Sequence, residues 1–174
     1  HEIDLTNISH LGRQWFGESF DINQEQEFEF NFPNLDPTTP VKLMIATASA
    51  AFTPTSFKVA ANGQEVGNIL FPTLIANSAT EFNVGSLANN SSFNGAANIK
   101  IKLTYNNNGV PGSKGYLDYI RLIAKRKLQG YGKQFLFQYD LSNSSTGIIN
   151  YQLSNATGIS QIWDVTDISN VTKI

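Results

Sequence analysis

A chain of 174 residues is long enough to bury a core as one domain with a small appendage. Its residues are 41% apolar and only 15% charged, with a formal net charge of -2 and a pI near 5.6. Such a balance excludes a disordered charged tail and gives no general affinity for nucleic acid or an anionic membrane.

There is no cysteine, which removes disulfides, thiolate metal sites and a cysteine nucleophile from this chain. No apolar run is long enough to span a bilayer. The chain starts at His1 and stops at "NVTKI" in what reads as mid-strand, as expected of a processed or excised piece of a longer protein.

Taken in chain order, the cleanest signal is "EQEFEFNF", Glu25 to Phe32. Phe28, Phe30 and Phe32 alternate with Glu27, Glu29 and Asn31, which predicts a half-buried strand. "PNLDPTTP" ends it in a loop, and "VKLMIATASA" resumes as a strand with Val41, Leu43 and Ile45 inward. In "SFKVAANGQEVGNILF" the Asn62-Gly63 pair between two extended runs predicts a tight hairpin. "TEFNV" and "NIKIKLTY" read as two further strands, the second alternating Ile99, Ile101 and Leu103 with Lys100, Lys102 and Thr104. "NNNGVPGSKG", Asn106 to Gly115, is a loop.

"GYLDYIRLIAKRKL", Gly115 to Leu128, is open to two readings. As a helix it would align Leu117, Ile120, Ala124 and Leu128. As a strand it places Tyr116, Asp118, Ile120, Leu122 and Ala124 on one side, and Leu117, Tyr119, Arg121, Ile123 and Lys125 on the other. Clustered aromatic and branched residues between Gly115 and Gly130 favour the strand, bent or switching sheet near Ala124. Asp118 and Arg121 are then expected in cross-strand or loop hydrogen bonds, and Lys125 to Lys127 at a solvated strand end.

Beyond Leu128, "KQFLFQY", "GIINYQL" and "ISQIWDVTD" are three more strand-like runs, separated by "DLSNSST" and "SNATG". No helix is predicted. The expected fold is therefore all-β: an antiparallel β-sandwich or jelly roll over residues 1–128, with a small β extension over 129–174.

The chemistry-bearing residues are sparse. The histidines are His1 and His10, and no G-x-S-x-G elbow accompanies His10, so a serine triad has little to stand on. Glu25, Glu27 and Glu29 share a solvent face, which does not make the facing carboxylate pair of a glycosidase. No phosphate loop or metal-ligand pattern occurs, so no cofactor is implied. A structural calcium held by loop oxygens is compatible with a jelly roll, with no residue to name for it.

An aromatic-based binding surface is the better non-catalytic idea, because sugars stack on exposed rings. Trp15, Phe16, Tyr116 and Tyr131 are its candidates, with Asn106 to Asn108 near Tyr116 in sequence, and Trp163 is an interface candidate. The competing role for Trp15 and Phe16 is as core anchors. The N-x-S/T triplets at Asn7, Asn89, Asn90, Asn143, Asn155 and Asn170 are what an Asn- and Ser-rich chain produces by chance.

Three segments, "RQWFGESFD" (Arg13 to Asp21), "GYLDYIRLIAKRKL" and "QIWDVTD" (Gln161 to Asp167), together resemble the β-rich N-terminal region of gingipain-type cysteine peptidases. The likeness is strongest to the PorU-type sortases of the type IX secretion system. Those peptidases use a Cys-His dyad, and no residue here matches it. The resemblance therefore implies a non-catalytic module ahead of a peptidase domain in the same chain, exported and placed at the bacterial surface or outer membrane. Secretion components and cargo are the further partners it implies. An autonomous carbohydrate-binding module is the alternative.

Overall fold

A computed structural model describes residues 1–10, 12–139, 144 and 146–174, apart from the side chains of 88–90. Asn143 of the triplets and most of the "DLSNSST" loop lie outside these residues. The described residues fall into two compact units, His1–Arg126 and Lys127–Ile174.

Eight strands build the first unit: β1 (Ser19–Phe20), β2 (Glu25–Asn31), β3 (Val41–Ala50), β4 (Thr55–Ala61), β5 (Gln64–Phe71), β6 (Asn83–Phe93), β7 (Asn98–Asn106) and β8 (Lys114–Ile123). They form two antiparallel sheets ordered β1-β8-β3-β6 and β2-β7-β4-β5. Consecutive strands mostly alternate between the sheets, which is the interleaving of an eight-stranded jelly roll.

The inner faces are set by period-two patterns. Val41, Leu43 and Ile45 of β3 meet Ile99, Ile101 and Leu103 of β7 in one core, all fully buried. Phe28 and Phe30 of the edge strand β2 lie opposite Ile101 and Ile99 and are half-buried. The Asn62-Gly63 turn has φ of 49° and 82°, the positive pair that a two-residue type I′ hairpin demands. Asn62 also clamps β7, accepting the Lys100 N–H at 2.9 Å through its side chain and donating its own N–H to the Lys100 carbonyl at 2.8 Å.

The outer faces differ. On the β2-β7 side, Lys100 reaches Glu27 and Glu29 at 2.9 Å each, and Lys102 pairs with Glu25. Hydrogen bonds donated to those two glutamates hold the Lys100 ammonium protonated well above its usual range. The three glutamates are thus occupied in a solvated cross-strand ladder. The other outer face, on β8 and β3, is covered by the N-terminal segment. Phe16 packs there with Ala48 and Tyr116 in a second, smaller apolar cluster.

Two expectations need correction. The strand expected at "TEFNV" begins only at Asn83, and it continues as β6 through the Gly-, Asn- and Ser-rich run to Phe93. Ladder bonds to β3 hold it, and Gly85 is required because a Cβ there would lie 2.6 Å from Ile69 Cγ2 and 2.8 Å from Phe71. In the second unit "KQFLFQY" and "GIINYQL" form no strand, and "ISQIWDVTD" contributes only β9 (Trp163–Asp164), paired with β10 (Thr172–Lys173). The physical reason is burial: none of the described residues of 127–174 is buried, so the alternating pattern has no facing layer to seat against.

Candidate binding cleft on the outer sheet face

β8 is the strand that shapes the outer face, and it does not follow simple alternation. Its register against β3 slips by one residue: Tyr119 lies opposite Ala46 but Leu117 opposite Thr47, leaving Asp118 as a bulge. The bulge puts Leu117 and Ile120 together in the core, with Leu122 and Ala124 packed against it, while Tyr116 faces the opposite way. The two-sided assignment read from sequence therefore fails at Asp118, and the irregularity lies there rather than near Ala124. The strand ends at Ile123, with Lys125, Arg126 and Lys127 exposed just beyond it.

The free edge of β8 is filled in three steps. β1 pairs at Tyr116 and Gly115. The Gly17 N–H then bonds the Leu117 carbonyl at 2.7 Å, and the Leu117 N–H bonds the Glu18 carbonyl at 2.9 Å. Past the bulge, the His1 carbonyl accepts from the Ile120 N–H at 2.9 Å, and the His1 nitrogen donates to the Ile120 carbonyl at 2.9 Å. The intervening chain turns back on itself, with Thr6 and Phe16 bridged and positive φ at His10 and Gly12. Gly17 is needed where this segment crosses itself, because a Cβ would lie 2.8 Å from the Ile3 carbonyl.

Phe16 is 0% exposed and Tyr116 9%, with ring centroids 6.0 Å apart, so neither offers a face to a ligand; both are packing groups. Burial, and then the charge of Asp21, push the Tyr116 phenol up from its usual range. Trp15, one residue before Phe16, points the other way and is 45% exposed. It lines a cleft of about 410 Å³ with Glu2, Asp4, Arg13, Gln14 and Asp118. Burial raises the Asp118 carboxyl above its ordinary value, with Glu2 and Asp4 adding like-charge repulsion.

A second cleft, of about 520 Å³, opens between Phe30 and Phe32 and the Tyr119–Leu122 stretch of β8. His1 and Glu2 also line it, and His1 Nε2 lies 2.7 Å from Glu18 Oε1.

Tyr131 and Trp163 belong to the second unit and are 48% and 50% exposed. Trp163 Nε1 donates to Gln161 at 3.2 Å. The acids of that segment are engaged locally: Asp164 accepts the Thr166 N–H at 2.9 Å and Asp167 the Ser169 N–H at 2.9 Å. Hydrogen bonds from Thr166 and Ser169 hold both carboxyls below their ordinary values. Asn106 and Asn107 close turns onto the N–H groups of Asn108 and Gly109, at 3.0 Å each, which commits their side-chain oxygens to the loop. His10 sits exposed in a turn. Among the described residues no group of three His, Cys, Asp or Glu side chains is placed to hold a metal ion.

No protein-family model and no curated protein matches this sequence. Solved structures do. A crystal structure of dimeric latent PorU from Porphyromonas gingivalis superposes with a TM-score of 0.66, at 19% identity, over 76% of this chain and 13% of that one. The insecticidal δ-endotoxin Cry8Ea1 of Bacillus thuringiensis follows at 0.44, with 20% identity, 63% of this chain and 20% of that one. A CBM36 carbohydrate-binding module in complex with calcium and xylotriose gives 0.40, with 14% identity, 62% of this chain and 89% of that one. The fold is PorU-like. This chain spans only 13% of the PorU chain it matches, and the other two likenesses are too distant to bear on function. Among the described residues, no helix is long and apolar enough to cross a membrane.

Proposed function

We propose that this chain is a non-catalytic β-module of a larger, exported, gingipain-type cysteine peptidase of the PorU kind. The PorU likeness over 76% of the chain carries the reading. The absence of any cysteine agrees with it, because the thiolate of such a peptidase must come from elsewhere. In this reading the whole protein sits at the bacterial surface and acts in type IX secretion, and the jelly roll positions the peptidase domain or its cargo.

The second unit supplies the contact. Leu136, Ile148, Ile168 and Ile174 are strongly exposed and none of the described residues around them is buried. A segment of this composition cannot offset the entropy of ordering by itself and gains from a partner surface. The partner proposed is the peptidase domain of the same polypeptide, into which residues 129–174 lead.

The test is to sequence the intact polypeptide and compare hydrogen exchange of this chain alone and within it. A downstream domain bearing a His and a Cys, with amides of 127–174 protected only in the longer protein, is the expected result. A polypeptide without such a domain, or equal protection in both forms, overturns the proposal, as does thiol-independent proteolysis by the isolated chain.

A further inference from the structure

The Trp15 cleft gathers several polar side chains around an exposed indole. Its six lining side chains are Glu2, Asp4, Arg13, Gln14, Trp15 and Asp118. Among the described residues none of them makes a side-chain hydrogen bond or ion pair, although one guanidinium and three carboxylates share the same hollow. On the strands of this unit several such groups are paired, as Lys58 is with Glu65 at 2.8 Å and the β2 glutamates are with Lys100 and Lys102. An exposed indole face beside uncommitted planar donors and acceptors is what a small-molecule cleft needs: an apolar platform and a few convergent polar groups.

We propose that this cleft binds a saccharide, and specifically a neutral or amino sugar of a glycan chain. A sugar ring presents an apolar C–H face to stack on the Trp15 indole and a rim of hydroxyls that both donate and accept. Carboxylates of Asp118, Glu2 and Asp4 accept from those hydroxyls, while Arg13 and Gln14 donate to them, two at a time where hydroxyls are vicinal. Three carboxylates against one guanidinium repel uronic, sialic and sulfated sugars. The volume, about 410 Å³, falls in the usual range of roughly 300–1,000 Å³ for such sites.

The bulge is what makes the site. It turns Asp118 outward beside Trp15 without removing Ile120 and Leu122 from the core, and bulges commonly re-aim a side chain toward a site in this way. The proposal concerns unit 1 alone, and it stands or falls independently of the peptidase-module reading.

The chain has two tryptophans, so a Trp163→Phe background leaves Trp15 as the sole indole reporter. Chitotriose, its de-acetylated trimer and cellotriose are titrated against it, with trigalacturonate and trilysine as acidic and cationic probes, and calorimetry repeats each titration on the unaltered chain. A saturable change in Trp15 emission with at least one neutral or amino trisaccharide is expected, and none with trigalacturonate. Trp15→Ala and Asp118→Asn each raise Kd about tenfold or more, the loss of one stacking or charge-assisted contact. Trp15→Phe keeps part of the affinity, and circular dichroism reports that each variant is folded. No binding of any neutral or amino trisaccharide overturns the proposal. So does tighter binding of trigalacturonate, binding of trilysine alone, or an unchanged Kd in Trp15→Ala.

Discussion

Ser49 is the most informative single residue for the stability of the jelly roll. Its hydroxyl lies 2.8 Å from the Tyr105 hydroxyl and 2.7 Å from the Thr55 hydroxyl, and all three residues are buried. Replacing Ser49 with Ala removes the hub and leaves two buried hydroxyls unsatisfied. At about 1–3 kcal/mol for each orphaned group, the expected loss is roughly 2–6 kcal/mol. Tyr105→Phe removes one arm but leaves Ser49 paired with Thr55, so it costs only about 1 kcal/mol. The double variant no longer buries an orphaned tyrosine hydroxyl. Its cost falls short of the sum by about 1 kcal/mol, a coupling that a double-mutant cycle resolves. Urea unfolding followed by far-UV circular dichroism gives each value, provided the slope is unchanged. A Ser49→Ala cost below about 0.5 kcal/mol, or strict additivity, would show that water reaches these hydroxyls and refute the reasoning.

Three further outcomes rest on the same packing. Gly85→Ala drives a Cβ to 2.6 Å from Ile69 and is expected to cost about 1–3 kcal/mol in the same urea assay. Asp118 carries a raised carboxyl pKa, so its favourable contribution is complete below its unfolded value of 3.8 and is lost as pH rises through the folded value. Asp118→Asn therefore raises Tm more at pH 7 than at pH 3; an equal or reversed gain contradicts the assignment. A chain ending at Arg126 keeps all the buried residues and should unfold cooperatively at nearly the same urea midpoint, whereas a broad transition would give residues 127–174 a structural role in the first unit.

How far the fold was legible depended on where each pattern had a partner. β2, β3, β7 and the Asn62-Gly63 hairpin were readable because alternation or turn chemistry is local and their facing layer exists. In β3 the alternation even continues through Thr47 and Ser49, whose hydroxyls are buried but hydrogen-bonded, Thr47 to the Gly85 carbonyl at 3.2 Å. β6 was not readable past Val84, because an edge strand needs only ladder bonds on one side and tolerates Gly, Asn and Ser. The opposite error occurred after Leu128, where good alternation and aromatic content met no second layer. Of the candidate site residues, Trp15 and Phe16 were named together, but their neighbouring positions give them opposite orientations. Glu2, Asp4 and Arg13 carried no local signal, since they come together only through the folding of the N-terminal segment onto β8.

Asp118 explains why β8 departs from simple alternation, and its removal tests the explanation. With Asp118 in place, "YLDYIRL" has one residue too many for period two, and the strand absorbs it as a bulge. Deleting that residue leaves Tyr-Leu-Tyr-Ile-Arg-Leu, in which Leu117, Ile120 and Leu122 alternate inward without interruption. The core should therefore survive, and a half-buried, like-charge-repelled carboxyl disappears. The deletion is expected to keep Tm within a few degrees of the parent while abolishing trisaccharide binding at Trp15. If the bulge were instead a structural necessity, the edge bonds from Gly17 and His1 would lose their partners at Leu117 and Ile120, and the jelly roll would unfold. A folded chain without binding assigns the extra residue to the cleft; an unfolded one assigns it to the sheet.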